Sequence, residues 1–145
     1  MAELREDSIT GNQVIVAPAR GTRPHTVGDG ASAPAKSAGD CPFCERHEHE
    51  TPPEVARTGD GAADTPGWRV RVVPNKYPIV GDGVDGAHEV VILSPDHNGT
   101  LARLAADRAR EVMRVLRDRA AHHLDRGCAY VSVFVNQGKA AGASI

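Results

Sequence analysis

The sequence predicts an α+β fold: a largely antiparallel sheet with one long helix covering a face. Two observations carry this. Short β-branched segments alternate apolar and polar residues, the mark of half-buried strands, and only one segment repeats apolar residues every three or four positions over several turns. Strands therefore dominate, and the single helix has a sheet to cover.

Taken in chain order, Thr10-Gly11-Asn12 is a turn signal and Gln13–Ala17 a short strand, isolated or in a hairpin. Residues 21–40 are rich in Gly, Ala, Ser, Pro and Asp without any period, which reads as a long loop. Trp68–Pro74 alternates, so Trp68, Val70 and Val72 are expected on one side and Arg69 and Arg71 on the other; Pro74, with no N–H for a ladder, ends the strand. A glycine-rich loop over 81–86 leads to a strand over His88–Ser94, halted at Pro95. Leu101, Leu104, Ala105, Ala109, Val112, Met113, Leu116, Ala120 and Leu124 form the helical stripe, with the arginines at 108, 110, 114, 117 and 119 mostly off it and Gly127 as its stop. Tyr130–Asn136 alternates again and is expected to be the last strand. The sequence has no internal repeat, and 145 residues read as one domain, 1–145, interrupted by the loop over 21–40.

Composition excludes several functions. No apolar run exceeds four residues, so no segment reads as a membrane-spanning helix. The formal charge of −2 argues against a generic polyanion surface, and 3% aromatic residues against a stacking platform for single strands, so neither nucleic acid nor membrane is expected as a partner. The charged N-terminal segment has no apolar core of the kind secretion signals carry, and three cysteines suit a reducing compartment; a cytoplasmic location is expected.

Cys41-Pro-Phe-Cys44 is the sharpest local feature. Two thiolates three residues apart can grip one soft cation from a knuckle turn. A redox dithiol would place the first cysteine at a helix N-terminus after a strand, whereas 37–40 reads as loop; an unconnected pair of thiols is the other alternative. A metal pair needs further ligands: His47 and His49 nearby, or His97 at the end of a strand. His47 and His49 read more simply as part of a solvated charged stretch, and His88, His122 and His123 as strand and helix surface. Cys128 reads as a small buried hydrophobe. Asn136–Ser144, with its small and glycine positions, is a weak signal for a loop that brings backbone N–H groups close to a phosphate.

Taken together, Glu3-Leu-Arg-Glu-Asp7, Val14–Arg20, Arg23-Pro24, Cys41-Pro-Phe-Cys44, Thr51-Pro-Pro-Glu54, Val73–Pro78, His88-Glu-Val90, Ser94-Pro-Asp-His97 and Asn136…Ser144 resemble, in order and with compatible gaps, the N-terminal half of the galactose-1-phosphate uridylyltransferase family. That family belongs to the histidine-triad nucleotidyltransferase superfamily. The resemblance implies the first of two tandem histidine-triad-like repeats, each an antiparallel sheet with a helix. It implies exchange of a uridylyl group between UDP-glucose and galactose 1-phosphate through a uridylyl-histidine, in galactose metabolism. By matching position it implies Zn2+ on Cys41, Cys44 and His97. It further implies a phosphate contact from Arg23, a uridine pocket from Phe43, Asn75, Lys76, Tyr77 and Val90, and a substrate loop from Asn136, Gly142 and Ser144.

The family's nucleophile lies in a His-Pro-His-x-Gln motif just after its Gly-Ala-Ser stretch, and the 145 residues contain no such motif. The expectation is a catalytically silent chain in isolation, retaining weak nucleotide binding, and paired in a homodimer or with a second repeat. Two alternatives stay open. One is a zinc- and nucleotide-binding module without catalysis; the other is a related nucleotidyltransferase that uses adenine nucleotides.

Overall fold

The computed structural model describes residues 1–22 and 37–136. Two antiparallel sheets and one long helix make up the regular structure. β1 (Glu3–Glu6) pairs with β2 (Gln13–Val16), with Leu4 opposite Ile15. The strand expected at Gln13 is thus one arm of a hairpin. Its turn is closed by Asp7, whose carboxylate accepts the Ile9 N–H at 2.8 Å. Of the loop read over 21–40, residues 23–36 lie outside the described residues; Pro18–Thr22 and Ala38–Asp40 are short 3-10 turns.

The second sheet places β4 (Trp68–Pro74) between β3 (Ala56–Gly59) and β5 (Glu89–Ile92). Val72 stands opposite Ala56 on one side and Val91 on the other; Arg71 stands opposite Arg57 and Ile92. Side chains directly opposite share a face. One face therefore carries Val70, Val72 and Val91, and the other Arg71, Val73, Val90 and Ile92.

Trp68 departs from simple alternation. Thr58 pairs with Val70 and Gly59 with Trp68, so Arg69 is an extra residue on β4, a bulge. The bulge moves Trp68 off the Val70 and Val72 face, and it packs with Val73 and Ile92. The expected grouping of Trp68 with Val70 and Val72 is corrected accordingly. Arg71 is also not on a solvated face: it is 1% exposed. The segment between residues 48 and 64 covers it and supplies Glu54, Asp64, Thr51 and the Glu48 carbonyl as acceptors.

The helix α1 (Ala106–Asp125) covers the opposite face, where Val112 and Val115 pack on Val70 and Val72, with Leu101, Leu104 and Leu116 around them. The stripe differs in phase from the expected one. Leu101 and Leu104 belong to a 3-10 turn and the extended residue after it, so their spacing is not carried into the helix. Val115 is buried, whereas Met113, about 100° round the axis from Val112, is 54% exposed. Leu124 is exposed because a 20-residue helix, roughly 30 Å long, overhangs strands of four to seven residues. Arg108 and Arg119, expected off the stripe, turn to the sheet: Arg108 donates to the Arg69 carbonyl at 2.8 Å, and Arg119 pairs with Glu89 at 2.5 Å. His123 is half-buried against the same Glu89 carboxylate at 3.1 Å, not ordinary helix surface. Gly127 ends the helix with φ +93°. The Cys128 N–H donates to His123 and the Gly127 N–H to Leu124, the paired bonds of a Schellman turn. Cys128 is half-buried.

The strand expected over Tyr130–Asn136 is not formed. Its alternation is suitable, but a strand exists only as part of a ladder, and none of the described residues pairs with it. Tyr130, Val133, Phe134 and Val135 are exposed. Among the described residues, no helix is long and apolar enough to cross a membrane.

Candidate metal centre and the cleft beside it

Cys41 and Cys44 are both buried, and the Cys44 N–H donates to the Cys41 carbonyl at 3.1 Å, which closes the knuckle expected of a Cys-x-x-Cys pair. The knuckle is held against the sheet by two acidic side chains that follow it. Glu45 accepts the Gly67 N–H at 2.8 Å, and Glu48 accepts the indole N–H of Trp68 at 2.7 Å. Glu48 is buried, so the stretch over 45–50 is not simply a solvated run as its composition suggests. Burial alone would raise its carboxyl; the bond from Trp68, with help from backbone N–H groups and Arg71, outweighs that and holds it below the ordinary value.

His97 arrives from the other direction. β5 ends at Ile92, short of the Ser94 end expected, and the turn that follows is fastened by its own side chains: Ser94 Oγ accepts the Asp96 N–H, and Asp96 accepts the Asn98 N–H, each at 3.0 Å. This presents His97 Nδ1 at 3.3 Å from Cys44 Sγ. One ligand atom each from Cys41, Cys44 and His97 all lie within 4.8 Å of one another. Ligand atoms around a tetrahedral thiolate- and imidazole-bound ion stand about 3.5 Å apart, so this group can hold a metal ion. Burial, then the neighbouring Cys41, push the Cys44 thiol up to about 11, so uptake of a cation displaces a proton there. His47 points elsewhere, its Nδ1 2.8 Å from the Cys41 carbonyl, and His49 is exposed.

The three side chains form one wall of a cleft of about 520 Å³. Phe43, Val90 and Asn136, expected in the substrate site, line this cleft with them. Phe43 and Val90 are packed on the Trp68, Val73 and Ile92 cluster, which gives the cleft an apolar floor. Asn75, Lys76 and Tyr77 do not line it; they lie on the connection leaving β4. There the Asn75 side-chain oxygen accepts the Tyr77 N–H at 2.8 Å, Arg20 donates to the Tyr77 carbonyl at 2.5 Å, and the Asn75 amide lies 3.2 Å from His88 Nε2. Arg23, Gly142 and Ser144 lie outside the described residues. Asp96, Asn98 and Arg103 also line the cleft. Reading the Ser94-Pro-Asp-His97 motif for its histidine alone misses them; the signal was the Asp at a turn-forming position beside it.

Residues 76–145 match the family model for galactose-1-phosphate uridyl transferase, N-terminal domain. Over 99% of its length the chain is 32% identical to ADP-glucose phosphorylase from Arabidopsis thaliana. The chain spans about half the length of the curated relative it matches, 45% of that protein. Among solved structures, it resembles the crystal structure of the Arabidopsis ADP-glucose phosphorylase with bound ADP-glucose, with a TM-score of 0.65 over 99% of this chain and 45% of that one. It also resembles a GALT-like protein from Arabidopsis thaliana, 29% identical, with a TM-score of 0.64 over 98% of this chain and 43% of that one. The α+β fold of antiparallel sheets and one long helix is shared with these two solved structures. The matched segment of the uridyl transferase family contains His97, while the two cysteines precede it.

Proposed function

We propose that this chain is the metal- and nucleotide-sugar-binding part of a nucleotidyltransferase whose nucleotide sugar carries adenine, as ADP-glucose does. The observation that carries the reading is the convergence of Cys41, Cys44 and His97 on one wall of the cleft that Phe43, Val90 and Asn136 line. The choice of base is supported by similarity to an ADP-glucose phosphorylase along 99% of the chain. Two thiolates and an imidazole suit zinc, and a zinc ion bound there supplies a structural tie between the knuckle and the loop after β5.

The chain's own residues then bind and orient. Phe43 offers an aromatic face and Val90 an aliphatic one, which together exclude water from one side of a base. The Asn136 amide offers both a donor and an acceptor at the cleft. Arg23, Gly142 and Ser144 belong to the same proposal on the strength of the family resemblance, as do Asn75, Lys76 and Tyr77 beside the cleft. A hexose phosphate as the second substrate, and association with a second copy, belong to it as well.

The test is calorimetric titration of the chain with ADP-glucose and, separately, UDP-glucose. The expected result is at least about tenfold tighter binding of ADP-glucose, and loss of most of that affinity in Phe43→Ala, the scale of removing one base–aromatic contact. Equal or tighter binding of UDP-glucose would overturn the adenine reading in favour of uridylyl exchange. No binding of either would overturn the assignment of the cleft.

A further inference from the structure

We infer that His47 is a positioning residue for the metal centre: an imidazole whose Nδ1–H locks the Cys41–Cys44 knuckle in its ligand-presenting shape. The inference rests on the metal reading of the three side chains and goes beyond it, since His47 is not among them.

The geometry begins with the Cys41 carbonyl. It accepts two bonds, from the Cys44 N–H at 3.1 Å and from the His47 ring at 2.8 Å. A carbonyl oxygen only accepts, so the contacting Nδ1 must carry the proton. Both lone pairs of that oxygen are then satisfied beside a buried residue, where an unsatisfied one would be costly. The backbone is bent to deliver the ring. The His47 N–H donates to the Cys44 carbonyl at 3.2 Å, and Arg46, between them, takes φ +77°, a left-handed conformation that a residue with a side chain adopts only where its surroundings impose it. On the far side of the ring the chain is pinned at once, by the buried Glu48–Trp68 bond.

His47 is thus a strut between an anchored point on β4 and the first sulfur ligand. The same bond explains why it is not a ligand itself: the nitrogen nearest the knuckle is occupied by its proton. Outer partners of this kind commonly change metal affinity by about 10- to 100-fold when removed.

The experiment compares the parent chain with H47N and H47F, each loaded with one equivalent of Zn2+ or Co2+ and titrated against a chromophoric chelator. Asparagine keeps an N–H donor at nearly the reach of imidazole Nδ1, and phenylalanine keeps the volume without the donor. The expected result is at least about tenfold weaker zinc binding by H47F and an altered thiolate-to-cobalt charge-transfer band, with H47N within about threefold of the parent. Parent-like affinity in H47F would overturn the inference, and so would H47N as weak as H47F. A parent chain that takes up no metal would overturn the metal reading as well, which separates the two failures. Should H47F not fold, the ring nitrogen shifts of the zinc-loaded parent decide the matter: a protonated Nδ1 supports the strut, and a bare Nδ1 overturns it.

Discussion

Arg57 and Arg71 stand directly opposite each other in the β3–β4 register, two guanidinium side chains on one face of the sheet, and Glu54 joins them. Its two oxygens reach Arg57 Nη1 at 3.4 Å and Arg71 Nε at 2.6 Å. Like charges placed opposite one another repel, and Arg71 is fully buried, so the carboxylates around it are a condition of the register. Asp64 is the second, 2.5 Å from Arg71 and held below the ordinary carboxyl value: burial pulls upward, but the Glu54 N–H and Arg71 outweigh it. Glu54→Gln leaves both guanidiniums short of an anion and should cost about 3 kcal/mol in urea-induced unfolding. Asp118→Asn, which breaks the exposed pair with Arg117, should cost less than about 0.5 kcal/mol in the same measurement.

Glu89 sets an acid limit on stability. Burial alone would raise its carboxyl, but the hydrogen bonds and charge of Arg119, joined by His123, outweigh burial and hold it below the ordinary value of 4.5. A carboxyl with a lowered folded-state pKa contributes stability that is fully present above pH 4.5 and is lost as pH falls through the lower folded value. Thermal midpoints measured from pH 6 downward should therefore fall below about pH 4.5, and Glu89→Gln should flatten that fall while lowering the midpoint at neutral pH. An unchanged acid limb in Glu89→Gln would assign the effect to other carboxylates.

Metal binding and folding should be coupled. Purified without chelator, the chain is expected to carry close to one equivalent of metal by elemental analysis, and Cys41→Ser or His97→Ala less than about a tenth. Stripping the metal should lower the thermal midpoint by at least ~10 °C. Equal metal content in all three proteins would show that these side chains do not form the site.

The phase of α1 gives a direct comparison of neighbours. Val112→Ala removes two buried methyl groups between helix and sheet and should cost about 2 kcal/mol. Met113→Ala, one residue on, should change stability by less than about 0.5 kcal/mol in the same denaturation series.

The parts of this molecule visible in the sequence are those set by short-range rules. Pro74 stops a strand, Gly127 stops the helix, and Cys-x-x-Cys makes a knuckle, because each depends on a residue's own geometry; the strand expected to run to Pro95 ends earlier, at Ile92. What depended on partners was not visible. Glu3–Glu6 has one apolar residue in four and becomes a strand only because Gln13–Val16 lies across from it. Tyr130–Asn136 has the better pattern and no ladder among the described residues. The solvated appearance of Arg71 and Glu48 failed for the same reason, since each is buried by the other's segment. In the site, the strand-end histidine and the knuckle were legible as separate motifs; their approach to 3.3 Å follows from the sheet that separates them in sequence.

The extra residue at Arg69 has an optical consequence. It turns Trp68 away from the helix and toward the knuckle, where its N–H meets Glu48, one residue beyond the His47 ring. Trp68 is the chain's one tryptophan. The tryptophan emission of this protein therefore comes from a single indole seated behind the cysteines. Its wavelength and intensity follow the state of the knuckle without any label, while disturbances confined to the β1–β2 hairpin leave the signal nearly silent.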